Sequence, residues 1–329
     1  MNIVVTGSIA TDHLMTFPGK FADSIVADKL DRISLSFLVD QLEVRRGGVA
    51  PNICFGMAAL GFTPVLVGAV GPDFADYRSW LERHGVDTDS VHVSQVHQTA
   101  RFICTTDEDA NQLASFYAGA MSEARDIELD PVVARIGGVD LVVIGANDPD
   151  GMLRHTDECR ARGFAFAADP SQQLARMEGA EIRRLIDGAA YLFTNEYEAA
   201  LTEQKTGWSA AEIADRVQCR VTTLGAQGAR IERAGEAPVK VECLAESSVV
   251  DPTGVGDAFR AGFLAGLGLG LTDERCAQLG SLLATLVIET VGTQEYQVSD
   301  ADIHHRLTAA YGAEPAAEIT SRLSLRPSA

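Results

Sequence analysis

The nine residues Asp251-Pro252-Thr253-Gly254-Val255-Gly256-Asp257-Ala258-Phe259 set two glycines and a carboxylate at the head of an apolar run. Gly254 and Gly256 allow a tight turn and close approach of a ligand to the backbone. The free N–H groups and dipole at the start of a following helix favour an anion. Asp257 then stands where it can take the proton of a hydroxyl that attacks a terminal phosphoryl group. The amides of Gly254, Val255, Gly256 and Asp257 supply an oxyanion hole for the developing charge. An unperturbed Asp titrates near 3.9 and a helix terminus lowers that value, so Asp257 is expected ionised at pH 7 and weakly basic. Taken alone, the stretch fits an Asp that caps a helix after a glycine turn better. No Gly-x-x-x-x-Gly-Lys-Ser/Thr occurs, so the phosphate site is not a P-loop.

Such a turn needs a scaffold. Short apolar runs near 3–6, 65–68, 141–145, 164–168, 191–194 and 221–224 alternate with helical patterns near 52–60, 74–84, 151–162, 180–186, 196–203, 257–267 and 273–289. Alternation of this kind predicts an α/β domain, a mostly parallel central sheet with helices on both faces. Ligands in such sheets bind beyond the carboxyl ends of the strands. Ser8, Asp12, Asp169 and Asn195 are expected just past strand ends. Two stretches, 11–46 and 91–116, break the alternation, and strands without helices are expected around Val91, Val93 and 101–105.

The 329 residues form one domain in this reading, with 46% hydrophobic composition sufficient for a large core. A net charge of −19 without a basic run argues against a nucleic-acid partner and for a small ligand. Six scattered cysteines indicate neither a zinc site nor a disulfide framework, and reduced cytoplasmic thiols are expected. The N-terminus enters an apolar strand at once, without a signal-like lead. The apolar stretch 282–288 is about a third of the roughly 20 residues a membrane span needs, so no membrane association is expected. Residues 324–329 read as a loose tail.

The nonapeptide resembles the C-terminal signature of the ribokinase, or phosphofructokinase-B (PfkB), family, whose usual pattern is Asp-Thr-x-Gly-Ala-Gly-Asp-x-Phe. Pro252 and Val255 depart from it without removing an amide of the turn. Gly47-Gly48-Val49-Ala50-Pro51-Asn52 resembles the family's sugar-binding Gly-Gly motif, with its Asn four residues after the second Gly. Asn195-Glu196-Tyr197-Glu198 resembles the Asn-x-x-Glu magnesium motif, and the stretch from Thr222 to Gly228 resembles the nucleotide loop. The resemblance covers roughly residues 1–312. Within the family, segments 7–15 and 168–176 are most similar to actinobacterial adenosine kinases.

The resemblance implies ATP as phosphoryl donor, adenosine as acceptor, Mg²⁺, a small β lid drawn from about 12–46 and 91–116, and a role in purine salvage; a family sugar kinase is the alternative. Asp12 is assigned the vicinal ribose hydroxyls, Gly48 close approach, and Asn52 a donor and acceptor together. Ser8 and Ser36 complete the sugar side. Phe102 and Phe116 either stack on adenine or fill a lid core, while the amides of Gln172 and Gln173 match the base edge. Arg176 neutralises transferring phosphate or forms a surface ion pair. Asn195 and Glu198 hold Mg²⁺ through its waters, form a capping box, or do both. Thr223, Gly225 and Gly228 contact the nucleotide or make a plain hairpin turn. Asp251 and Thr253, with carbonyls near Val291 and Gly292, resemble the K⁺ loop of some relatives. A lid sheet exposes an apolar face, which a second subunit covers in a homodimer or the body of the same chain covers itself.

Overall fold

The computed structural model describes residues 1–24 and 35–325. In chain order its strands are β1 (Ile3–Thr6), β2 (Ala10–Thr16), β3 (Gln41–Gly47), β4 (Val65–Val67), β5 (Ala69–Val70), β6 (His92–Val93), β7 (Ala100–Thr106) and β8 (Gln112–Tyr117). They continue as β9 (Leu141–Ile144), β10 (Phe166–Ala168), β11 (Tyr191–Asn195), β12 (Arg220–Thr223), β13 (Ala229–Glu232) and β14 (Val239–Val241). Eight of them form one sheet in the order β14-β13-β12-β11-β10-β9-β1-β4. The six strands from β4 to β12 pair in parallel, and β13 and β14 add an antiparallel edge.

Period-two alternation sends each strand's side chains into two separate cores. Ile3, Val5, Leu141, Val143, Ala167 and Phe193 enter one apolar cluster. Val4, Val142, Ile144, Phe166, Ala168 and Leu192 enter the other. Strands buried on both faces demand helices on both. Val49–Ala59, Val255–Gly268 and Asp273–Ile288 cover the first face, while Leu129–Ile136, Pro149–Arg162 and Gly179–Ile186 cover the second. A Cβ at Gly56 would lie 2.6 Å from that of Ala261, so only a hydrogen there lets helices Val49–Ala59 and Val255–Gly268 pack at this distance. That contact sets Asn52 beside Asp257.

The smaller sheet runs β3-β2-β7-β8. Residues 91–93 do not belong to it as expected, because β6 pairs with β5 next to the main sheet. Asp12 lies inside β2 rather than past a strand end: after β1 the chain turns through Gly7 and Ser8 and pairs again from Ala10 onward. The expected loose tail also begins later. Leu323 and Leu325 pack on the first core, and residues 326–329 lie outside the described residues. Among the described residues no helix is long and apolar enough to cross a membrane, and the six cysteines are free.

Candidate active site

The helix expected from Asp257 starts two residues earlier, at Val255. Gly254 is its N-cap with φ 77°, a left-handed conformation that suits glycine, and a Cβ there would meet Thr293 Cγ2 at 2.7 Å. Asp257 is therefore the third helical residue, and its own N–H and that of Gly256 have no acceptor among the described residues. Both amides belong to the free first turn that favours an anion.

Two cavities meet at this turn. The first, about 460 Å³, is lined by Gly254 and Asp257 together with Ser8, Asp12, Gly48, Asn52, Phe116, Gln172, Gln173, Arg176, Thr253 and Met121. The second, about 300 Å³, is lined by Val255 and Gly256 together with Thr223, Gly225, Gly228, Phe259, Ala284, Thr285 and Ile288. The turn is the wall between them.

Gly48 has φ 100°, and a Cβ there would meet Ser8 O at 2.5 Å; this turn delivers the chain from β3 into helix Val49–Ala59. Asn52, one turn in, does not cap the helix. Its Nδ2 donates to Asp257 Oδ2 at 2.8 Å, and its Oδ1 accepts from Gln294 Nε2 at 2.9 Å and lies 2.9 Å from Thr293 Oγ1. The expected sugar ligand is thus also the partner of the expected base.

Burial raises the Asp257 pKa to about 7, against the pull of the Asn52 hydrogen bond and the Arg260 charge, while Asp169 and Glu198 push it further up. The expectation of a lowered value fails because removal of the carboxylate from water outweighs the helix terminus here. A base poised near neutrality is better matched to proton abstraction than one near 4. Asp12 is likewise raised, to about 6, by burial first, with Arg45 opposing and Asp251 adding.

Beneath the turn lies a buried charge cluster. Arg260 Nε stands 2.6 Å from Asp169 Oδ2, in an ion pair whose N–H is not aimed at the carboxylate, and Arg260 Nη2 is 4.0 Å from Glu198. Burial raises the Asp169 pKa. Three carboxylates around one guanidinium leave room for added positive charge. Asn195 and Glu198 form the capping box in full, each backbone N–H bonded to the other's side chain at 2.8 Å. No cluster of three metal-type side chains occurs among the described residues. A Mg²⁺ held by one carboxylate, waters and phosphates needs none, and Glu198 fits that use.

Thr223, Gly225 and Gly228 do make a hairpin turn, between β12 and β13, and the same turn lines the second cavity. Gln173 is buried with its Oε1 unpartnered at the wall of the first cavity. Arg176 is exposed at the same cavity. Phe102 and Phe116 are cross-strand partners, but Phe102 lines an adjoining cavity of about 280 Å³ with Arg45, Arg46 and Asp251, which shares Asp12, Thr253 and Thr293 with the first. Ser36 is exposed before β3 and lines none of these cavities. Asp251 accepts from Thr253 N, Gly292 N and Arg45 Nη1 at 2.9, 3.2 and 3.1 Å, so the carboxylate expected beside K⁺ is paired with a guanidinium. Arg260, Thr293, Gln294 and Tyr77 carried no sequence expectation. The Asp-x-x-Arg spacing of Asp257 and Arg260 within an apolar helix was the one available signal.

Two cavities joined at a glycine-rich helix start, on a mostly parallel sheet with a small second sheet, go with a ribokinase-like fold. The structure superposes on ribokinase from Thermotoga maritima with a TM-score of 0.74 at 18% identity, which speaks to fold alone, covering 94% of this chain and 99% of that one. The pfkB family carbohydrate kinase model matches residues 11–300, and the chain belongs to that family. It is 36% identical to the ligand-free nucleoside kinase of Burkholderia thailandensis, with a TM-score of 0.84 over 93% of this chain and 99% of that one. The same relative is known in complex with inosine and with ADP-inosine. A nucleoside kinase of Methanothermobacter thermautotrophicus is 29% identical over 88% of this chain and 93% of its own length.

Proposed function

We propose that the protein is an ATP-dependent nucleoside kinase that transfers the γ-phosphoryl group to the 5′-hydroxyl of adenosine, giving AMP and ADP for purine salvage. The observation that carries this reading is the shared wall: Asp257 faces the first cavity while Val255 and Gly256 face the second. The first is the acceptor cavity and the second the donor cavity. Asp12 accepts from the ribose hydroxyls, and Phe116 with the amides of Gln172 and Gln173 receives the base. Asp257 takes the proton as the acceptor oxygen bonds to the γ-phosphorus and the bond to the β-phosphate oxygen breaks. The N–H groups of Gly256 and Asp257 hold the phosphoryl oxygens, and Arg176 adds positive charge at the rim. Bound Mg²⁺ would neutralise the phosphates, with Glu198 binding its waters.

A sugar-phosphate acceptor needs free cations. Arg45 and Arg46 are already paired, with Glu43 and Asp251 and with Glu295 respectively, and Arg176, the one arginine lining the first cavity among the described residues, is assigned to the transferring phosphate, which favours the nucleoside. The complex of the Burkholderia relative with inosine supports a purine acceptor. On the outer face of the small sheet Leu42, Val44, Leu113 and Tyr117 are exposed, a surface suited to a second copy of the chain in a homodimer.

ADP release with Mg²⁺ and ATP from adenosine, guanosine, inosine, ribose and fructose 6-phosphate tests the reading. Adenosine should be used far better than either sugar; preference for ribose or fructose 6-phosphate would replace the nucleoside with a sugar acceptor.

A further inference from the structure

Asn52 meets Asp257 through an amide whose two ends are alike in size and opposite in polarity. Only the nitrogen end stabilises a carboxylate. What selects that end begins at a backbone carbonyl, Gly47 O, which can only accept. The Tyr77 hydroxyl donates to it at 3.0 Å, so the phenol oxygen is left to accept from Gln294 Nε2 at 2.6 Å. The same Nε2 gives its other proton to Asn52 Oδ1 at 2.9 Å. Thr293 Oγ1 also lies 2.9 Å from that oxygen, but its single proton is shared with Arg46 O at 3.1 Å; with its oxygen engaged, Asn52 turns Nδ2 toward Asp257. Tyr77, Gln294 and Asn52 are 5%, 1% and 6% exposed, so bulk water does not compete for these groups.

We propose that Gln294, anchored through Tyr77 on the Gly47 carbonyl, is a positioning residue that fixes the polarity of the Asn52 amide and so keeps Asp257 ready to accept a proton. The inference rests on the reading of Asp257 as the base. It adds a direction of control, because Gly47 is the last residue of β3 in the small sheet. The order of donors and acceptors is set at the edge of that sheet and transmitted to the reacting centre. Arg260 on the helix of Asp257, Asp169 after β10 and Glu198 on helix Glu196–Thr206 also act on the Asp257 carboxyl, and burial together with that carboxyl raises the Tyr296 phenol. All four are retained in the variants that follow.

The test compares pH profiles of kcat/KM for adenosine, at saturating ATP and Mg²⁺, in wild type, Gln294→Leu, Tyr77→Phe and Asp257→Asn. Gln294→Leu should move the acidic limb upward by roughly one pH unit, the effect of weakening one hydrogen bond to a charged group. Its alkaline plateau should stay near wild type. Tyr77→Phe removes a single oxygen and keeps the ring, so it reads the same relay even where Gln294→Leu folds poorly; its limb should move the same way by less. Limbs that stay in place while the plateau falls at every pH would reduce Gln294 to packing and overturn the proposal. Asp257→Asn separates the two readings. If it alone retains a wild-type limb and turnover, the assignment of the base fails, whatever Gln294 does.

Discussion

The proposed acceptor cavity is walled by polar side chains, whereas the proposed donor cavity is walled by backbone turns and largely apolar groups. On the acceptor side Asp12, Asn52, Gln173 and Asp257 each occupy a buried or half-buried position with a distinct polarity. On the donor side Gly225, Gly228 and Gly256 present main chain, and Phe259, Ala284 and Ile288 close the space. Buried polar groups reject a ligand that cannot pair with them, while apolar walls discriminate weakly. Selectivity should therefore be sharp for the acceptor and loose for the donor base.

The most severe break in this contrast is at the shared wall. Asp257→Asn should lower turnover by on the order of 10²–10⁴, the usual contribution of a general base, in steady-state assays on adenosine. In the wild type, Asp257 is protonated below its raised value of about 7, so kcat/KM should fall as pH drops through that value, and the variant should lack this limb. Gly254→Ala comes next. It forces a side chain into a left-handed turn and against Thr293, so a misplaced anion site should reduce turnover by about 10² and the unfolding temperature should fall as well, by more than in Gly225→Ala.

Smaller effects sharpen the two sides separately. Phe116→Ala should weaken adenosine binding by about 1–3 kcal/mol through lost stacking and leave ribose phosphorylation alone. Phe102→Ala, in the adjoining cavity, should affect both substrates alike, because Phe102 does not line the first cavity; the ratio of the two activities in each variant decides. Glu198→Gln keeps a residue type that still closes a capping box but removes charge, so the Mg²⁺ concentration for half-maximal rate should rise while the unfolding temperature holds. Gly225→Ala should have the least effect. It strains one left-handed residue at a cost of about 1–2 kcal/mol with nothing within 4 Å of the new Cβ, and only the KM for ATP should respond.

The main sheet was legible in the sequence because its strands are short, apolar and spaced by helices: the runs near 3–6, 141–145 and 191–194 match β1, β9 and β11 to within a residue. The second sheet was harder. Exposed strands such as β8, with no buried residue in Gln112–Tyr117, carry no apolar pattern, and β6 showed its apolar residue Val93 without showing its partner. Of the site, the glycine turns and Asp257 were legible because special backbone conformations restrict residue choice. The Asn52, Thr293, Gln294 and Tyr77 network was not, because its members are separated by up to 242 residues and each is unremarkable alone. The sign of the Asp257 shift was missed for a related reason: a helix start is local, whereas burial is a property of everything packed around it.

Arg45 of β3 is bonded to Asp251, three residues before Gly254, and Arg46 reaches Glu295 on the other flank. The small sheet, proposed to contact the acceptor, thus grips both segments that border the Gly254–Asp257 turn. Any free energy by which nucleoside binding steadies this grip must reappear as tighter ATP binding, and ATP must tighten the nucleoside by the same factor. Cut at Arg45, that mutual dependence should shrink equally from both directions.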